Sequence, residues 1–263
     1  MASAPQQPTL PLFYNDLMPL NSRDHANFKA RPVESPQFLQ GAHAIPLTVD
    51  EFVEAQRDLP IIFTAGADPL PLALMGLNEG VNTYVGDDGK LTDPVYVPAY
   101  IRRYPFMLAK LQPDAEELSL CFDPTWPGMG EFPEGDPFFD AEGQPSETTK
   151  GILEFCESFE QAGQRTKAFM EELKSHDLLM DGEIAITLNE RPEQPFTYRG
   201  FQMVNREKLA ETSASQLEAW NKSGFLMLVH AHLFSLDQMR KIFSRQVDQG
   251  KGPQPGAAGV GAN

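Results

Sequence analysis

A single long amphipathic run, residues 147–175, sits between stretches that read as β on both sides of it. Ile152, Cys156, Phe159, Phe169 and Leu173 recur at three- and four-residue multiples, while Glu, Gln, Lys and Arg fill the outer face. That period marks a helix with one buried stripe. Ser146 stands where an N-cap belongs, with an oxygen placed to accept an orphan N–H. The expected class is α+β: a mainly antiparallel twisted sheet packed by one long helix and several shorter C-terminal helices.

The strands are predicted from short apolar or alternating runs separated by Gly, Pro, Asn and Asp. They fall at residues 42–47, 61–64, 70–77, 81–85, 118–122, 183–188 and 196–204. Pro46 assigns the first of these to an edge or a strand end, because proline has no N–H to give a ladder. Asp87-Asp88-Gly89 predicts a hairpin turn, since glycine tolerates the positive φ such turns require. For 61–123 a meandering antiparallel sheet is the economical reading. Thr48…Glu51, Ser213…Gln216 and Ser235…Gln238 are three capping boxes, each opening a helix. The first helix should run to about Arg57, with Pro60 ending it. Residues 224–234 are apolar enough to be buried throughout, and periodicity leaves helix and strand both open there.

Residues 1–40 read as an extended arm, 41–246 as a single α+β domain, and 247–263 as a disordered Gly- and Pro-rich tail. Residues 124–145, rich in proline and glycine, form a long excursion that would serve as a lid. No run reaches the 18 or so apolar residues of a membrane-spanning helix, so an integral membrane segment is not expected. Cys121 and Cys156 each lie in an apolar run and read as buried thiols. The first residues resemble no export signal, which points to the cytoplasm.

Charge separates function classes. The chain has 21 Lys and Arg against 37 Asp and Glu, net −16. Residues 111–160 hold 13 acids and one base, Lys150, and so carry −12 of it. Such a chain repels phosphate backbones, and Arg102-Arg103 with Lys110 is too small a basic patch to reverse that, so no nucleic-acid partner is expected.

Three segments carry a family resemblance: His43-Ala-Ile-Pro-Leu47, the block from Tyr96 to Phe106 (Tyr-Val-Pro-Ala-Tyr-Ile-Arg-Arg-Tyr-Pro-Phe), and His230-Ala-His-Leu-Phe-Ser-Leu236. Together they resemble the SapC family of bacterial proteins over roughly residues 11–246. The resemblance implies a surface-layer-related role and brings no catalytic residue or ligand with it. An unrelated peptide-transporter permease shares the name, and the missing membrane spans separate this chain from it.

The ligand-binding candidates are Tyr96, Tyr100, Arg102, Arg103, Tyr104, His43, Trp126 and His230. An arginine offers a planar fork to a carboxylate or phosphate, and tyrosines flank such a ligand with ring faces and hydroxyls. The competing structural reading has one arginine pairing with the acid-rich stretch while the tyrosines fill the core edge. On a strand only one of Arg102 and Arg103 faces inward. His230 and His232, with His43 and Asp123 as remote ligands, suggest a metal, but their apolar surroundings favour hydrogen-bonded core histidines, so neither metal nor cofactor is expected. Trp126 either covers a pocket or anchors the excursion. No nucleophile elbow or phosphate loop occurs. The leading expectation is a cytoplasmic binding or accessory protein for a peptide or protein client in a surface-associated pathway. The alternative is an enzyme in which Arg102 or Arg103 anchors an anionic small molecule or peptide and His43 or His230 moves a proton.

Overall fold

The computed structural model describes residues 10–33, 37–112, 114, 117–187 and 195–252. The long helix spans Glu147–Ser175, the bounds its pattern predicts. Thr149 N–H donates to Ser146 Oγ at 3.3 Å, and the Ser146 hydroxyl donates to the Pro137 carbonyl at 2.6 Å. Glu147 in the first turn and Lys174 in the last complement the helix dipole.

The chain divides into two compact units, one of Met1–Glu34 with Arg103–Glu160, the other of Ser35–Arg102 with Gln161–Asn263. In the first, a three-stranded sheet has the order Met18–Pro19, Ser119–Phe122, Phe106–Ala109. A second small sheet sets Lys29–Ala30 between Met129–Gly130 and Asp136–Pro137. The segment read as an extended arm therefore supplies two short strands. Phe122, Met129, Phe138 and Phe139 form the core here, with Phe28, Phe106 and Trp126 packed against it. The excursion 124–145 thus carries core side chains of its own unit.

The second unit holds a five-stranded sheet in the order Leu179–Asp181, Phe201–Val204, Ile61–Thr64, Pro71–Leu74, Ala44–Pro46. Pro46 lies at its edge, as proline requires. Every ladder between named strands is antiparallel among the described residues. The fold is α+β, with four shorter helices at Arg206–Ala210, Ala214–Ser223, Phe225–Ser235 and Gln238–Asp248. Both cysteines are buried free thiols.

Several local expectations are corrected. The meander over 61–123 is two separate hairpins, Ile61–Thr64 with Pro71–Leu74 and Phe106–Ala109 with Ser119–Phe122, in different units. Residues 81–85 form no strand beyond a bridge from Val85 to Leu91, the hairpin that Gly89 turns at φ 78°. Instead, Asn82 donates to the carbonyls of Leu39 and Ala42, so its side chain organises that backbone. The run 196–204 breaks at Gly200 into Phe196–Tyr198 and Phe201–Val204. The capped helix at Thr48 is a single turn, Val49–Glu51, followed by Phe52–Ala55, and stops short of Arg57.

The apolar segment 224–234 is helical, and Met227 and Phe234 on it are 57% and 64% exposed rather than buried. Gly224, at φ 80°, turns the chain between two helices there. Ser235 caps nothing: its hydroxyl donates to the His232 carbonyl at 2.6 Å and accepts the Ile61 N–H at 2.8 Å, a buried amide that needs an acceptor. Most of the loop before Pro195, and residues 253–263 of the stretch 247–263 read as disordered tail, lie outside the described residues, while Val247 and Asp248 of that stretch end the helix Gln238–Asp248.

Candidate functional site

The tyrosine-arginine block contains a short helix, Ala99–Arg103, where a strand reading would alternate the two arginines. Pro98 sits just before its first residue and its carbonyl accepts the N–H groups of Ile101 and Arg102. Consecutive residues of a helix diverge by about 100°, so Arg102 and Arg103 leave it in different directions. Arg102 stays exposed, donating through Nε to the Val97 carbonyl at 3.0 Å and through Nη2 to the Tyr96 hydroxyl at 3.4 Å. Arg103 is 6% exposed, 4.2 Å above the Phe159 ring and 3.5 Å from the Glu160 carboxylate. One arginine therefore pairs with the acid-rich stretch, through a residue on the long helix.

Glu51 gathers the start of the block. It is 5% exposed, and its Oε1 accepts the Tyr96 hydroxyl at 3.0 Å and the Ala99 N–H at 2.6 Å. Its Oε2 accepts the N–H and hydroxyl of Thr48 at 3.0 and 2.8 Å. Four donors thus satisfy a carboxylate that would otherwise be costly to bury. Burial, then the Glu51 charge, pushes the Tyr96 phenol up to about 12. Tyr100 is buried.

Asp123 gathers the end of it. Fully buried, it accepts the Asn15 N–H at 2.7 Å, the Thr125 N–H and hydroxyl at 2.8 and 2.7 Å, and the Tyr104 hydroxyl at 3.2 Å. Burial works to raise the Asp123 carboxyl, but these hydrogen bonds outweigh it and hold the group below its usual range. The Tyr104 phenol is pushed up to about 12, first by burial and then by that carboxylate. Trp126, half-buried, meets the Tyr104 ring edge to face at 5.3 Å. Burial likewise raises the Cys156 thiol to about 11, against the pull of Arg103.

The histidines do not share one place. His232 is completely buried; its Nε2 accepts the Val204 N–H at 3.1 Å, and its Nδ1 lies 2.9 Å from the Ile61 carbonyl. That pair of partners requires neutral imidazole with the proton on Nδ1. Burial lowers its pKa to about 3. His230, two residues away on the helix, is exposed and stacks on Phe234 at 6.0 Å. His43 is half-buried, its Nε2 has no hydrogen-bond partner among the described residues, and burial lowers its pKa against the opposing effect of Glu79. Among the described residues no three His, Cys, Asp or Glu side chains group as they would around a metal ion. No described helix is long and apolar enough to cross a membrane.

Sequence reasoning missed the cavities. One, of about 670 Å³, is an apolar trough in the second unit, lined by Val53, Phe169, Trp220, Phe225, Met227 and Leu228 among others. Arg165 and Asp50 pair at its wall, Nε to Oδ1 at 3.0 Å and Nη2 to Oδ2 at 2.5 Å. Glu172 also lines it, accepting the Trp220 indole N–H at 2.7 Å and facing His176 Nε2 at 3.2 Å. A polar cavity of about 410 Å³ is lined by His176, Asp177, Lys208, Glu211, Ser213 and Gln216. A third, about 520 Å³, lies between the strand Ile184–Ile186 and the helix Gln238–Asp248. Phe169 and Trp220 read as core on their helical stripes, and nothing in a stripe tells a closed core from an open trough. The one available signal was Met227, whose helix is too apolar to be amphipathic.

A family model described as SapC matches residues 20–242. No curated protein and no solved structure matches the chain.

Proposed function

The chain belongs to the SapC family, and from that premise we propose that it is a binding or accessory protein, its client a peptide or protein segment of apolar and basic character. The apolar trough carries this reading. Its volume of about 670 Å³ is in the range of sites that bury a ligand or an anchoring side chain. Five helical pieces supply its walls, an arrangement suited to taking the apolar face of a helix or extended segment. Met227, 57% exposed at its side, is a large apolar group that gains by being covered. A net charge of −16 draws a basic client and repels an acidic one. The setting we propose is the cytoplasm, in a surface-associated pathway of the kind the family resemblance implies.

The enzymatic alternative needs an arginine and a histidine free to act on one anionic ligand. Of its candidate groups, His43 keeps Nε2 without a hydrogen-bond partner among the described residues and His230 is exposed, but Arg102 turns to Val97 and Tyr96 and Arg103 to Phe159 and Glu160. That engagement favours the binding reading.

A photoreactive amino acid at Met227 of the full chain, irradiated in the source cells, tests it. One defined peptide or protein should crosslink there, and not when the same group replaces Leu70, which is 60% exposed and outside the trough. Equal labelling from both positions, or none from Met227, removes the proposal.

A further inference from the structure

The apolar trough and the polar cavity share Gln216 as a lining residue, and the Glu172–His176 contact of 3.2 Å joins a wall of one to a wall of the other. The two are neighbouring compartments in the second unit. Their charges are not balanced. Arg165 cancels Asp50 and Lys208 cancels Asp177, each through a direct ion pair. Two lining carboxylates remain without a lysine or arginine: Glu172, which accepts Trp220 and faces His176, and Glu211, which has no side-chain hydrogen bond or ion pair among the described residues. With histidine neutral the combined lining carries −2, concentrated at the polar compartment and at the wall it shares with the trough.

We propose that these compartments form one bipartite site for a peptide segment in which a run of apolar side chains is followed directly by lysine or arginine. The apolar run fills the trough against Val53, Phe169, Trp220 and Met227. The basic side chain enters the polar cavity, where its cation meets Glu211 while Ser213 and Gln216 supply neutral acceptors, with Glu172 lining the adjoining trough. An acidic head group would face the uncompensated Glu211 there, with Glu172 on the adjoining trough wall adding to the repulsion, so the site discriminates by sign as well as by hydrophobicity. This rests on the binding role proposed above and assigns each part of the client to a compartment.

The probe is a blocked peptide of four leucines followed by two lysines, titrated calorimetrically against the full chain at low ionic strength. Comparison peptides carry two serines or two glutamates in place of the lysines. The lysine peptide should bind about fivefold more tightly than the serine peptide, with the glutamate peptide weakest, and the spread should shrink as salt is added. In Glu211→Gln, where the native side chain is exposed and makes no hydrogen bond or ion pair among the described residues, the lysine preference should fall about twofold to threefold while serine-peptide affinity stays unchanged. Met227→Glu should weaken binding of the serine and lysine peptides alike. Equal affinities for lysine and serine peptides, both lost in Met227→Glu, would overturn the bipartite site and leave the apolar client standing. A lysine preference untouched by Glu211→Gln would reduce the effect to the net charge of the whole molecule and also overturn it. Binding of none of the peptides would remove the site and its premise for the trough together.

Discussion

Replacing His232 by glutamine should alter how stability depends on pH more tellingly than it alters stability itself. In the native chain the imidazole is completely buried between the Ile61 carbonyl and the Val204 N–H and stacks on Phe63 at 4.5 Å. Its pKa is lowered to about 3 from 6.5, first by burial. Between those values the unfolded chain binds a proton that the folded chain does not, so stability falls as pH drops from about 6.5 towards 3. At about 1.4 kcal/mol per unit, acidification from pH 7.5 to 5.0 should cost about 2 kcal/mol through this group alone. Glutamine does not titrate and cannot hold both backbone groups in the same geometry. At pH 7.5 the variant should therefore be about 2–4 kcal/mol less stable, the penalty for two poorly satisfied buried groups. The other titrating groups act equally in both proteins. Urea denaturation at both pH values should then show the gap between native chain and variant narrowing by about 2 kcal/mol on acidification. With a slope of ~2–3 kcal/mol per molar, that is about 0.7–1 M in midpoint difference. A gap of the same size at both pH values would refute the buried neutral imidazole.

Two further substitutions probe the packing. Tyr96→Phe removes one of the four donors to Glu51; it should cost about 1 kcal/mol in chemical denaturation, and no loss would mean that the hydroxyl is dispensable to the buried carboxylate. Gly76→Ala places a methyl group 1.6 Å from the Val81 carbonyl oxygen. Backbone must move to admit it, so a loss of about 3 kcal/mol or more is expected, and a thermal midpoint within a degree or two of the native one would contradict the close approach.

What could be read in advance divides by the range of the physics. The helix Glu147–Ser175 was legible to its ends because its stripe and its cap are both local. So were Ile61–Thr64 and the turn at Gly89, each governed by a few adjacent residues. Pairing was not: Phe201–Val204 lies beside Ile61–Thr64 across more than a hundred residues, and alternation carries no address for a distant partner. Ser235 misled because the capping-box pattern is indifferent to whether its hydroxyl faces a helix start or a sheet amide. The tyrosine-arginine block stands out in the sequence, yet the acids that organise it, Glu51 and Asp123, lie outside it. Glu51 read as a helix-capping residue, and that role is half of its work. The trough escaped because exposure of Trp220, Phe169 and Met227 to a shared void is a property of how helices cross.

Glu51 ties two stretches of chain into one cooperative element. The amides of Thr48 and Ala99 and the phenol of Tyr96 all end on a single carboxylate. Lifting the segment around Tyr96 away would strip it of two donors and leave a negative charge short of partners in a dry pocket. The segment should accordingly open together with the turn at Val49–Glu51, so that proteases and solvent deuterons reach both or neither.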